Sequence, residues 1–305
     1  MTKDQLIEAI LKEKKQRNIS ILAHTYQAPE IIDIADITGD SFALSVAATK
    51  LQSDTVLMCG VRFMAETVKI LSPEKRVILS DADATCPMAV QLQKSQIEQY
   101  RKEHPDHTVV AYINTTAELK SVCDVCVTSS SAVKIVSKLP AKDILFIPDP
   151  NLGSFVAKQL PDKNIYLMNG CCPVHHQITA EDVLAAKNQH PDAKLAMHPE
   201  CRPEALQYAD YIGATSGIIE YTMATDEPVI IGTERGVCDY IKYKHPDKKV
   251  YQLCKDKLTC TNMKLTTLQG VYDAICGNGG CDIELSEQLR VAAKKSIDNM
   301  LYYGN

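Results

Sequence analysis

The chain has 305 residues, 45% of them hydrophobic and 23% charged, and a net charge of −5. That balance is ordinary for a globular protein, gives no electrostatic reason to expect nucleic acid or an anionic membrane as partner, and includes no apolar run of membrane-spanning length. The N-terminal segment MTKDQLIEAILKEKKQRN reads as an amphipathic helix with no signal-peptide core, so a cytoplasmic protein is expected. In a reducing compartment, twelve cysteines indicate metal ligands, reactive thiols or small hydrophobes rather than a disulfide framework.

In chain order, the pattern predicts a helix over Gln5–Arg17 and a strand over Ile19–His24. APEIIDIADI reads as a short helix running into a second strand. A helix over Ser41–Leu51, a strand over Thr55–Cys59, a helix over Phe63–Leu71 and a strand over Arg76–Ser80 follow. Alternating strands and helices indicate a parallel α/β sheet. The pattern then restarts, with one helix over Pro87–Lys102 opened by proline, where a missing N–H costs nothing. HPDHTVVAYIN supplies a strand, and HPDAKLAMHPE supplies its counterpart 86 residues on. The end of the chain, Leu265–Tyr303, reads mainly as helices covering a surface.

The restart has a fixed phase. Asp36, Asp124 and Asp210 are 88 and 86 residues apart, as are Ser41, Ser129 and Thr215, and His24, Tyr112 and His198. Cys86, Cys172 and Cys260 are 86 and 88 apart. Four positions in phase indicate an internal repeat. The fold expected is therefore α/β: three repeated units, each a small parallel sheet with helices. The units would span 1–86, 87–172 and 173–262, with a helical tail over 263–305 packing on them. In such sheets the crevice lies beyond the strand C-terminal ends, and all the in-phase polar positions are expected to fall at such ends. A pseudo-threefold axis would turn those ends toward one centre.

Three constellations carry chemistry. Cys86, Cys172 and Cys260 each close a strand-like run. Three thiolates without a fourth suit a [4Fe–4S] cluster with one iron left open, whereas zinc would add His175 as a fourth ligand. The alternative is three plain buried cysteines. Cys171 competes with Cys172 but falls out of phase, and Cys254, Cys276 and Cys281 break the phase of Cys260. Cys123 and Cys126, a C-x₂-C pair unmatched in the other repeats, read as structural. The second constellation is His24 and Tyr26, Tyr112 and Asn114, and His198 and Glu200, two polar side chains per strand end, able to move protons. The third is Ser41, Ser129 and Thr215, each expected to cap a helix whose N-terminus favours anions. His104 and His190 sit in HPD turns expected to start strands, and His245 carries no pattern.

These residues resemble one family closely. HTYQ, GDS, CGVRFMAE, CPMA, YINT, VTSS, FIPDPNLG, HPEC, ATSG, IGTE and CTNMK look like motifs of the quinolinate synthases of de novo NAD synthesis, in family order over nearly the whole chain. The resemblance implies three pseudo-threefold-related α/β domains around a [4Fe–4S] cluster. It implies condensation of iminoaspartate with dihydroxyacetone phosphate to quinolinate, phosphate and water, with the enzyme that supplies iminoaspartate as a candidate partner. By motif, Cys86, Cys172 and Cys260 would hold the cluster. His24, Ser41, Tyr112, Asn114, Ser129, His198 and Thr215 would contact the substrates' carboxylates or phosphate. Glu200 would contact substrate and be the main acid–base residue, with Tyr26 and His198 assisting. Arg62, Ser131 and Ala214 depart from the family pattern. A different cluster-dependent hydro-lyase, or an iron–sulfur or zinc sensor, is the alternative.

Overall fold

A computed structural model describes residues 1–304. Among the described residues, thirteen strands form three sheets. The first contains β1 (Ile19–His24), β2 (Ile37–Gly39), β3 (Thr55–Cys59) and β4 (Arg76–Leu79). The second contains β5 (Thr108–Tyr112), β6 (Val125–Val127), β7 (Asp143–Ile147) and β8 (Asn164–Leu167). The third contains β9 (Lys194–Met197), β10 (Tyr211–Ile212), β11 (Val229–Gly232) and β12 (Val250–Gln252). β13 (Cys281–Asp282) adds to the first sheet as an antiparallel edge beside β4. Each set of four is parallel and has the same order: the second strand at one edge, then the first, the third and the fourth.

The chain falls into two compact units. One consists of Met1–Cys86 with Cys260–Arg290 and holds the first sheet. The other consists of Pro87–Thr259 with the residues from Val291 on, and holds the second and third.

The repeat is visible in its hydrogen bonds. Asp36, Asp124 and Asp210 accept from the backbone N–H of Ile21, Val109 and Leu195 at 2.7, 2.8 and 2.8 Å. Each also pairs with a cation from the helix that precedes the first strand of its sheet: Lys14 at 2.9 Å, Arg101 at 2.7 Å and Lys187 at 3.5 Å. The three aspartates therefore pin the edge strands β2, β6 and β10 near their starts and lie away from the strand C-terminal ends, where every in-phase polar position was expected. A second device recurs on Lys75, Lys163 and Lys248. Each ammonium takes two backbone carbonyls at the C-terminal end of a helix or in the loop after it: Leu51 and Ser53, Leu139 and Ala141, Met223 and Thr225. Asp124→Ala removes three hydrogen bonds, two to a guanidinium, from a half-exposed site. It is expected to cost about 2 kcal/mol of unfolding free energy, read from the urea midpoint.

The strands are mostly buried on both faces, as parallel sheets require: β11 is buried throughout and β7 from Ile144 to Ile147. Each such Ile or Leu contributes about 1.5–3 kcal/mol relative to exposure.

Several sequence expectations need correction. Pro87–Lys102 is not one helix. A 3₁₀ turn over Met88–Val90 is followed by a helix over Lys94–Glu103, which Gln93 and Gln96 close with a reciprocal cap. The HPD turns do not start strands. His104 and His190 end helices, with φ/ψ near −132°/68° and −134°/67°, and His245, of which no pattern was expected although it opens a third HPD, does the same at −137°/67°. The following proline disfavours the α region at the residue before it and stops each helix there. The end of the chain holds a helix over Leu268–Cys276, the strand β13 and a helix over Glu287–Gly304, so it is not purely helical. No helix among the described residues is long and apolar enough to cross a membrane.

Candidate functional site

The strand order of each sheet reverses between its first and third strands, and a crevice opens beyond their C-terminal ends. In the second and third sheets the side chains at those ends converge. Glu200 lies just past β9 and is 3% exposed. Its Oε2 is 2.7 Å from His175 Nδ1 and 3.5 Å from His198 Nδ1, and its carboxylate also accepts from Tyr112 at the end of β5. The two imidazoles stack with centroids 4.8 Å apart. His175 Nε2 meets Thr233 Oγ1, just past β11, at 2.9 Å. Cys172 Sγ lies 3.3 Å from His175 Nδ1.

The loop carrying Cys172 is held by its backbone. Gln91 receives the Cys171 N–H at 2.7 Å and donates to the Cys171 carbonyl at 3.1 Å. The Cys172 N–H donates to Asp149 Oδ2 at 3.2 Å. Asp149 Oδ1 caps the helix Pro150–Gln159 by accepting from Asn151 and Leu152. Gly170 is required here, because a Cβ would meet the Pro148 carbonyl oxygen at 2.4 Å. Gly232 is required at the end of β11, where a Cβ would lie 2.6 Å from Met197 Cγ and 3.1 Å from the Ala196 carbonyl. Asn151 Nδ2 donates to the Glu200 carbonyl at 2.9 Å and contacts His176 Nδ1 at 3.0 Å, which fixes the turn after β9.

The two buried carboxylates are driven apart. Burial, then the negative charge of Glu200, push Asp149 up to about 7 against its backbone hydrogen bonds. Burial would raise Glu200 too, but His198 and His175, with the His175 and Tyr112 hydrogen bonds, draw it down to about 2. One carboxyl thus gains and loses its proton near neutral pH while its neighbour stays ionised as a base, a division that favours acid–base work. The Cys171 thiol is pushed up by burial and by Asp149, with Arg202 opposing and Glu200 adding.

Of the residues singled out from sequence, Cys172, Tyr112, His198 and Glu200 form one connected group. Asn114 follows Tyr112 in a turn anchored by Lys120, whose fully buried ammonium takes the Ile113 carbonyl at 2.8 Å and the Thr115 carbonyl. Ser129 and Thr215 sit after β6 and β10. In the other unit, His24 ends β1, its Nδ1 accepts the Tyr26 N–H at 3.1 Å, and the two rings meet edge-on at 4.3 Å. His198 Nδ1 accepts the Glu200 N–H at 3.3 Å in the same way. Lys264 donates to the Tyr26 carbonyl and Gln27 to the Met263 carbonyl at 2.8 Å, tying the segment after Cys260 to β1's exit. Asn262 donates to Thr85 beside Cys86 at 3.4 Å. Arg62 donates to the Ala82 carbonyl at 3.3 Å and lies 3.8 Å from Cys281 Sγ.

The expectation of three hydroxyl caps does not hold. The cap before Ser41 is Asp40, whose carboxylate accepts from Phe42 and Ala43 and so already occupies that N-terminus with negative charge. Ser129 lies in the turn before the cap residue Ser131, and Thr215 is the first helical residue after Ala214, which supplies no side-chain cap. Asp149, His176, Asn151 and Thr233 escape the sequence pattern. The signal of Asp149, Asn151 and Thr233 is present in FIPDPNLG and IGTERG as loops after strands, and His176 lies in neither. Cys123 and Cys126 are buried, with Sγ atoms on the Leu119 carbonyl and on Ser296 Oγ, a structural role.

The family model described as "Quinolinate synthetase A protein" matches residues 8–302. Curated relatives named quinolinate synthase include those of Thermodesulfovibrio yellowstonii, 43% identical with 98% of both chains covered, and Caldicellulosiruptor bescii, 45% identical over the full length of both. The Fusobacterium nucleatum relative is 46% identical over 96% of this chain and 98% of its own.

Proposed function

The chain belongs to the quinolinate synthetase A family, and from that premise we propose that it is a quinolinate synthase condensing iminoaspartate with dihydroxyacetone phosphate. The products are quinolinate, phosphate and water. The observation that carries the reading is the group of buried His175, His198 and Glu200 with half-buried Cys172 at the C-terminal ends of parallel strands.

The arrangement proposed is three α/β repeats, 1–86, 87–172 and 173–262, about a pseudo-threefold axis, with 263–305 packing on them. Cys86, Cys172 and Cys260 are the cluster ligands. Their chemistry fits: all three are half-buried cysteines, whereas Cys59, Cys123, Cys126, Cys201 and Cys238 are buried and closed to an incoming group. A [4Fe–4S] cluster on three thiolates has one open iron, which supplies a Lewis acid for carboxylate, hydroxyl or carbonyl oxygen.

The chain's own residues supply the rest. Glu200, ionised between two imidazoles, accepts a proton from the condensing carbon skeleton and returns it as water leaves. His198 and Tyr26 assist, each beside a strand end. His24, Ser41, Tyr112, Asn114, Ser129 and Thr215 bind carboxylate or phosphate oxygen, Ser41 through its hydroxyl because Asp40 fills the helix terminus. Burial of Glu200 and both imidazoles keeps water from a hydrolysable imine. The partners are small anions and, as supplier, the enzyme that makes iminoaspartate; the setting is the cytoplasm. Anaerobically purified chain with a full complement of iron and sulfide is expected to release quinolinate from the two substrates. A preparation with intact iron and sulfide and no quinolinate would overturn the assignment.

A further inference from the structure

Cys172, His175 and Glu200 make a metal-ligand set of their own. One ligand atom from each lies within 4.8 Å of the other two, and no other three His, Cys, Asp or Glu residues among those described meet that limit. His175 Nδ1 is the shared corner, 2.7 Å from Glu200 Oε2 and 3.3 Å from Cys172 Sγ. We propose that the iron-free chain binds one zinc-like divalent cation on Cys172, His175 and Glu200, so that Cys172 serves one metal at a time.

The donor set is the reason. One thiolate, one imidazole and one carboxylate around an open fourth position match a mononuclear zinc site. Such a borderline mixture holds zinc more tightly than ferrous iron. The residues that would steady the ligands are already in place. His175 Nε2 faces Thr233 Oγ1 at 2.9 Å, the far-nitrogen contact that orients a metal-bound imidazole. The His198 ring stacks on it and blocks rotation. The side chains of His175 and Glu200 are 2% and 4% exposed while Cys172 is half-buried, so an ion would enter from the cysteine side.

The protons balance. The Cys172 thiol releases its proton to solvent on binding. The proton between His175 Nδ1 and Glu200 moves to Nε2, and the Thr233 hydroxyl, able to donate or accept, takes that hydrogen bond. The cation occupies the place of the proton that joined the imidazole to the carboxylate.

The full-length chain, freed of iron and sulfide, is titrated with Co²⁺. One tetrahedral Co²⁺ per chain with a thiolate charge-transfer band is expected, displaced by Zn²⁺. Cys172→Ser should abolish the band, and His175→Gln should abolish tetrahedral binding. Cys86→Ser and Cys260→Ser should leave both intact. Thr233→Val, which deletes no ligand, should weaken cobalt affinity about 10- to 100-fold. Unchanged far-ultraviolet circular dichroism separates ligand loss from unfolding, and Thr233→Val decides if a ligand variant fails to fold. Equal loss in Cys86→Ser or Cys260→Ser would place the ion on the three cysteines and overturn the inference. So would unchanged affinity in Thr233→Val. The inference stands apart from the cluster assignment, which quinolinate release and iron–sulfide content test on the loaded enzyme.

Discussion

Cys172→Ala is expected to abolish quinolinate formation and iron–sulfide incorporation, while Cys171→Ala keeps both near the level of the unaltered chain. The two cysteines are neighbours, but their surroundings differ. Gln91 clamps the backbone of Cys171 on both sides, and burial together with the Asp149 and Glu200 charges makes its thiol reluctant to ionise. Cys172 Sγ instead lies on the His175 ring, and its N–H is held by Asp149. Losing Lewis-acid stabilisation worth several kcal/mol corresponds to at least about a 10³-fold fall in rate. The fold should hardly notice, since truncating a half-buried thiol costs about 1 kcal/mol. Thermal unfolding, anaerobic iron and sulfide analysis and quinolinate assay on the same preparations separate these effects. Activity surviving in Cys172→Ala, or lost equally in Cys171→Ala, would show that the 86-residue phase selected the wrong cysteine.

That phase was legible because the repeat carries structural residues as well as functional ones. Asp36, Asp124 and Asp210 keep their spacing since each closes the same bond between neighbouring strands, so the register records the sheet. Strands over Ile19–His24 and Thr55–Cys59 were readable to the residue because buried β-branched and apolar runs end there in polar turns. The caps were not readable: Asp40 and Ser41 are both good cap residues, and only the backbone decides between them. β13 is two residues long and derives its pairing from β4, leaving no pattern of its own. Half of the candidate site was hidden for a related reason. The phase marked the ends of β1, β5 and β9, whereas Asp149 and Thr233 follow β7 and β11, on the other side of each crevice. There the residues differ from sheet to sheet, and only the shared strand order shows that they face the marked ones.

Glu200→Gln tests the proton chemistry of that crevice most directly. The substitution preserves shape and the hydrogen bond that Tyr112 donates, and removes one negative charge. In the native chain that charge faces His175 at 2.7 Å and His198 at 3.5 Å. Burial alone would raise the Glu200 carboxyl, and the two imidazoles overcome it, so the group waits as a base. The neutral amide cannot accept the proton, and general acid–base loss of this kind lowers rates by about 10²- to 10⁴-fold. KM should change little, because carboxylate and phosphate binding is assigned to the strand-end hydroxyls, amide and imidazoles instead. Asp149 also loses its like-charge neighbour, one of the two causes that push it to about 7, and its carboxyl should ionise more readily. The measurement is steady-state kinetics of Glu200→Gln with a normal iron and sulfide content. A kcat within tenfold of the unaltered enzyme would move the proton-transfer role to another residue, and a raised KM with kcat intact would make Glu200 a binding group.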